Sequence, residues 1–213
     1  MSKNNTNSGK GFLEFITSRK KTLIGLIIIF IGYLWLNPIG TYDNMVINDQ
    51  STQKQWGNVQ TSYQERNDLI PNLVATVKGY ADHEMNTLIG VIEKRSEATS
   101  TNIDPSNMSS DQIKTFMDNQ GEITSALSKL MVVVEKYPDL KANENFKNLQ
   151  ASLEGIENKI RVERNKYNDK VQIENTYLST FKNKMLNKLF EFKQKEYFES
   201  SEGADEAPVV SFE

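Results

Sequence analysis

The stretch NDLIPNLVATVKGYADHE, residues 67–84, carries the apolar marks Ile70, Leu73, Val74, Val77, Tyr80 and Ala81, and the pattern continues through Leu88, Val91 and Ile92. Spacings of three and four are those of one buried helical stripe, so a long amphipathic helix is expected here. Two residues complicate that reading. With Asp68 as an N-cap, Pro71 falls in the first turn of a new helical segment, where its missing N–H removes no intrahelical bond. A kink or restart near Asp68 is therefore expected. His83 is the single histidine of the chain, and Glu84 follows it in the order that opens a zinc-protease helix. Such a helix needs a second histidine one turn on, with the glutamate as base, but Thr87 holds that position. The Glu-x-x-His pattern of carboxylate-bridged bundle sites fails as well, because the tetrad here is Tyr80-Ala81-Asp82-His83. His83 is expected to be exposed or half buried beside the stripe, with Glu84 paired to Lys78 or Lys94.

Working outward, residues 96–112 form a Ser/Thr/Asn/Asp/Pro cluster that reads as the loop between two hairpin helices, with Ser109 or Ser110 capping the second of them. The next stripe runs Ile113, Phe116, Met117, Ile123, Leu127, Leu130, Val134 and Tyr137, and Pro138 ends it. After a short turn, Asn143 or Asn145 can cap a final long helix marked by Phe146, Leu149, Leu153, Ile156, Ile160, Tyr167, Val171, Leu178 and Phe181. Connections this short place neighbouring helices antiparallel. The expected fold is all-α, an antiparallel up-and-down bundle of long helices over residues 40–198. Its last part, residues 181–198, sets Met185, Leu186, Leu189, Phe190 and Phe192 among lysines. That part reads as a short helix packed on the bundle or as an interfacial amphipathic helix. Residues 199–213 are acidic and compositionally disordered.

On the other side of the opening stretch, the run from Leu23 to Leu36 has no charge, and Pro38 closes it. At about 1.5 Å per residue it covers roughly 21 Å, and about 26 Å if it reaches Ile39. A secretory signal sequence has a similar length, but cleavage requires small residues at −1 and −3, and Gly40 would stand with Pro38 at −3. An uncleaved signal anchor over residues 22–39 fits better. Lys3, Lys10, Arg19, Lys20 and Lys21 precede it and no base follows until Lys54. That asymmetry predicts a basic cytoplasmic segment, residues 1–21, in the inner membrane of a bacterium, with the bundle on the outer or periplasmic side. A cytoplasmic bundle is the alternative. A net charge of −3 gives no reason to expect nucleic acid, and the lack of cysteine removes thiolate chemistry and Cys-type zinc sites.

Glu154, Glu157, Arg161 and Arg164 alternate in sign at helical spacing, so ion pairs from Glu157 to Arg161 and Arg164 are available along one face. Arg164 also shares the apolar side with Ile160, Tyr167 and Val171. A buried polar network across the bundle, with Asn168 joining, is the alternative to a solvated surface.

The segments YDNMV, RNDLIPNLVATVKGYADHE, YPDLKANENFKNLQASLEGIENKIRVERNKYND and EFKQKEYFE occur in this order. Together they resemble the LemA family of bacterial membrane proteins. The resemblance spans roughly residues 37–199. It implies one N-terminal transmembrane helix and a mostly antiparallel helical domain, and it brings no established catalytic residues. Positions matching the family pattern include Arg66, Asp68, Pro71, His83, Glu84, Glu157, Arg164, Tyr167 and Asn168. Where many family members have Tyr-Asn early and Phe-Pro late, this chain has Tyr42-Asp43 and Phe181-Lys182. The expected function is that of a membrane-anchored scaffold or adaptor without catalysis or cofactor. Its expected partners are membrane lipid through the anchor and other envelope proteins, with a homo-oligomer as a further option. Alternatives are a membrane-remodelling or lipid-surface-binding protein, and a metal-dependent hydrolase using Asp68, His83, Glu84 and Glu157.

Overall fold

The computed structural model describes residues 7–36, 38–101, 103–105 and 108–198, with side chains from residue 19 onward except 34–36. The acidic segment 199–213 lies outside the described residues. Among the described residues seven α-helices succeed one another: α1 (Asn7–Leu36), α2 (Pro38–Lys78), α3 (Met85–Ser100), α4 (Ser110–Val134), α5 (Pro138–Ala142), α6 (Glu144–Ser179) and α7 (Phe181–Phe190). Among the described residues there is no strand.

α1 carries the apolar run, and it is the one helix among the described residues long and apolar enough to cross a membrane. No part of its most apolar window packs against the rest of the protein. α2, α3, α4 and α6 make the up-and-down bundle, with α2 and α6 as its most extensive pair.

The single stripe of residues 70–92 is broken. α2 ends at Lys78, a 3-10 turn spans Asp82–Glu84, and α3 starts at Met85. Gly79 weakens the helix at the break, and the Ala81 N–H closes on the Val77 carbonyl at 2.9 Å. The chain folds back there, so Val77 and Ala81 pack with Leu88 and Val91 in one cluster. Periodicity survives because both helices turn the same faces inward.

The restart expected near Asp68 is absent. α2 runs through Pro71, and Asp68 is an exposed acceptor for Gln64 Nε2 at 2.7 Å. Pro71 leaves the Asn67 carbonyl without its intrahelical donor. Arg95 on α3 fills the gap, its Nε donating to Asn67 O at 2.7 Å. The proline thus joins α2 to α3.

Caps fix the later helices. The Ser109 side chain accepts from the Gln112 N–H, and the Gln112 side chain accepts from the Ser109 N–H, a reciprocal capping box. Asn143 Oδ1 accepts from the Phe146 N–H at 3.0 Å and opens α6. Pro138 stands at the start of α5 rather than at the end of α4, which stops at Val134. α6 ends at Ser179, before Phe181, which begins α7.

Residues 191–198 contain no helix and lie as a strap along α6. Glu191, at φ 59°, turns the chain out of α7. Three asparagines then hold the strap by its backbone, each using its amide as donor and acceptor. Asn187 grips Phe192, with N–H···Oδ1 2.9 Å and Nδ2···O 2.7 Å. Asn175 grips Lys195 at 2.9 and 2.8 Å. Asn168 grips Phe198 at 2.8 and 2.9 Å. Phe198 stacks on Trp56 with centroids 5.4 Å apart and meets Tyr167 edge-on at 5.2 Å. Burying Phe198 contributes about 2–3 kcal/mol, whereas ordering eight residues costs about 1 kcal/mol each. The clamps, at about 1 kcal/mol per hydrogen bond, decide whether the strap stays down.

Candidate functional site

Two apolar cores fill the bundle. One joins Ile70, Leu73, Val77, Leu88, Ile123, Leu130 and Phe146. The other gathers Trp56, Tyr63, Phe116, Ile160, Tyr167, Val171 and Phe198. Between them α2 presents Arg66, one turn after Tyr63 and one before Ile70, with a side chain only 1% exposed.

A guanidinium in that position requires acceptors from all sides, and its rigid fork suits several at once. Nη1 donates to Glu157 Oε1 and to Thr124 Oγ1, both at 3.0 Å. Nη2 donates to Gln120 Oε1 at 2.6 Å and to the Gln120 carbonyl at 3.3 Å. The Tyr63 ring lies beneath, 5.1 Å from the guanidinium carbon. One side chain of α2 therefore ties α4 to α6.

The layer opens onto a groove of about 460 Å³, lined among others by Arg66, Gln120, Thr124, Ser128, Glu157 and Arg164. Glu157 stands at its rim, 38% exposed. Arg164 reaches the Tyr63 hydroxyl on one side and lies 5.0 Å over the Phe198 ring on the other. Burial pushes the Tyr63 phenol upward, with Arg164 and Arg66 pulling against it. The groove thus sets two guanidiniums and one carboxylate among polar and apolar side chains.

Of the residues singled out by sequence, Glu157 and Arg164 meet in this groove. Glu157 spends its charge across the bundle on Arg66 rather than along its own helix on Arg161 or Arg164. Arg161 points outward and donates to Asn158 Oδ1 at 2.9 Å. Tyr167 is fully buried in the neighbouring aromatic cluster, its hydroxyl without a hydrogen-bond partner among the described residues and its pKa raised by burial. Asn168 serves the strap. His83 is exposed on the far turn, and Glu84 lies 3.9 Å from Lys136 instead of pairing with Lys78 or Lys94. Lys94 bridges Glu97 and Glu122. Asp68, His83, Glu84 and Glu157 thus do not converge, and among the described residues no three His, Asp or Glu side chains are placed to share a metal. Gln120 and Thr124 escaped the sequence reading, and Arg66 entered it only through the family resemblance. Its signal was a charged residue set where the stripe of Tyr63 and Ile70 calls for an apolar one.

A family model described as the LemA family matches residues 55–212. The chain belongs to the LemA family. Two similar proteins of Paramagnetospirillum magneticum are the Magnetosome proteins MamQ 1 and MamQ 2. Each is 25% identical over 187 residues, which cover 80% of this chain and 68% of theirs. Magnetosome protein MamQ of Magnetospirillum gryphiswaldense is 23% identical over the same extent. The family match takes in the whole Arg66 layer and the strap, while the apolar helix α1 precedes it. This LemA-family chain is a membrane-associated helical protein.

Proposed function

We propose that this LemA-family protein is a single-pass, membrane-anchored scaffold without catalysis, whose bundle binds another envelope protein through the groove at the Arg66 layer. The observation that carries this reading is the open groove itself. Arg66 is tied down by three neighbours and forms the floor, and Glu157 and Arg164 line the groove beside it. Such a mixed-charge rim around a pre-formed floor favours specificity over strength. The lysines and arginine before α1's apolar run support an orientation with the N-terminus in the cytoplasm and the bundle across the membrane.

The test is site-specific photo-crosslinking of the full chain in its native membrane, with the reactive residue at Ser125 or Ser128 on the groove wall. Asp169, on the exposed side of α6, serves as the control position. The expected result is one discrete adduct from Ser125 and Ser128, identified as an envelope protein and lost in Arg164→Glu. Adducts no different from those at Asp169 would overturn the reading.

A further inference from the structure

α7 carries an arrangement that a solvated surface helix lacks. At about 100° per residue, Phe181, Met185 and Leu189 fall on one side with Lys184 and Lys188, while Asn183, Leu186 and Phe190 fall on the other. The apolar three are the exposed set: Phe181 is 73% exposed, Met185 52% and Leu189 77%. Asn183, by contrast, is buried and donates from Nδ2 to the Tyr177 carbonyl at 2.9 Å. The helix thus packs through Asn183, Leu186 and Phe190, with three further large apolar side chains turned outward.

Its place in the molecule gives that face a meaning. Just before α7, the Tyr177 hydroxyl meets the Thr41 carbonyl at 3.5 Å. At its end, the Phe190 ring lies 5.1 Å from the Tyr42 ring, and Phe192 is next at 5.9 Å. The last turn of α6 and the end of α7 are thereby held to the first turns of α2, immediately after the membrane helix. Tyr42 stands about 6 Å along α2 from Pro38, within the headgroup layer of roughly 5–7 Å on each side of the hydrocarbon core. Exposed Ile39 belongs to the same level.

We propose that α7 is a second membrane contact, which sinks Phe181, Met185 and Leu189 into the interface of the same leaflet from which the anchor emerges. Lys184 and Lys188 face anionic headgroups there, the distribution of charge and apolar surface that an interfacial helix requires. The anchor holds α7 at this surface, so a helix too short to bind lipid alone gains from a high effective concentration. The contact restrains rotation and tilt of the bundle, and it is independent of what fills the Arg66 groove.

The chain contains no cysteine, so Met185→Cys gives a single labelling position, with Asp82→Cys in the far turn as control. The full-length protein, labelled with bimane, is reconstituted into vesicles containing shallow nitroxide-labelled lipid, with or without phosphatidylglycerol. The expected result is quenching at position 185 several-fold above that at 82, stronger with phosphatidylglycerol, and lost when Phe181→Glu and Leu189→Glu are combined with unchanged helical circular dichroism. Quenching at 185 equal to that at 82, or unmoved by the two glutamates, would overturn the proposal. So would protection of the label from an aqueous quencher without lipid quenching, which would mean that a protein covers the face.

Discussion

Arg66 shows how a charge is retained inside an apolar stripe. All of its contacts to α4 and α6 come from other helices, which is why the sequence could nominate Glu157, Arg164 and Asn168 but paired Glu157 with the wrong arginines. Spacing reveals neighbours on one helix and nothing across a bundle. Arg66→Met strips the layer of its donor fork, and about 3 kcal/mol of stability is expected to go with it. Glu157→Gln retains an acceptor at a solvated rim and is expected to cost about 1 kcal/mol. Urea unfolding of the full chain in detergent, monitored by circular dichroism, checks both. Glu174 poses the opposite problem. It is 2% exposed, and neither carboxylate oxygen has a hydrogen-bond partner among the described residues. Thr52 lies beside it but gives its proton to the Asn48 carbonyl at 3.1 Å. Lys195 is also near, yet its ammonium is bound to Asp49 at 2.7 Å. Burial therefore raises the carboxyl above its ordinary 4.5, and Thr52 and Lys195 only partly oppose it. A raised acid means that the folded state holds the proton more tightly than the unfolded one, so stability falls as pH rises from the ordinary value through the folded one. Glu174→Gln is expected to raise the melting midpoint by a few degrees at neutral pH and to leave it unchanged below about pH 4. Thermal scans across that range decide it.

At the level of elements, composition announced most of what the structure contains. The Ser109 and Asn143 caps and the helices behind them were legible because their determinants are local. The turn after Lys78 was not, because the apolar spacing carries through it in phase and Gly79 is a weak breaker on its own. Nor was the strap, whose receiving backbone lies 20 residues beyond Asn175 and 30 beyond Asn168. Pro71 was legible as an anomaly and misread as a helix start, since its effect is exerted on a carbonyl one turn earlier and a guanidinium on another helix. Pro71→Ala supplies an N–H that competes with Arg95 for the Asn67 carbonyl. Arg95→Met is expected to cost about 2 kcal/mol beside Pro71, the worth of a hydrogen bond from a charged donor. In the Pro71→Ala background it is expected to cost much less. A double-mutant cycle by urea unfolding reads the coupling, and equal costs in the two backgrounds would show that the proline and the arginine act independently.

For the molecule as a whole, the apolar run and the helical stripes were enough to foresee a candidate membrane-crossing helix ahead of an up-and-down bundle. What they could not supply was dimension. α2 continues for 41 residues without interruption, and at about 1.5 Å per residue it is a post about 60 Å tall. From Pro38 to Arg66 the same rise amounts to about 42 Å, reduced only by the cosine of any tilt. On the proposed anchoring, whatever enters the groove has to reach that elevation from its own side of the bilayer. A membrane protein with nothing but short loops outside the lipid stays far below it, whereas one with a folded extramembrane domain stands level. The candidates for a partner are sorted by stature before any side chain is compared.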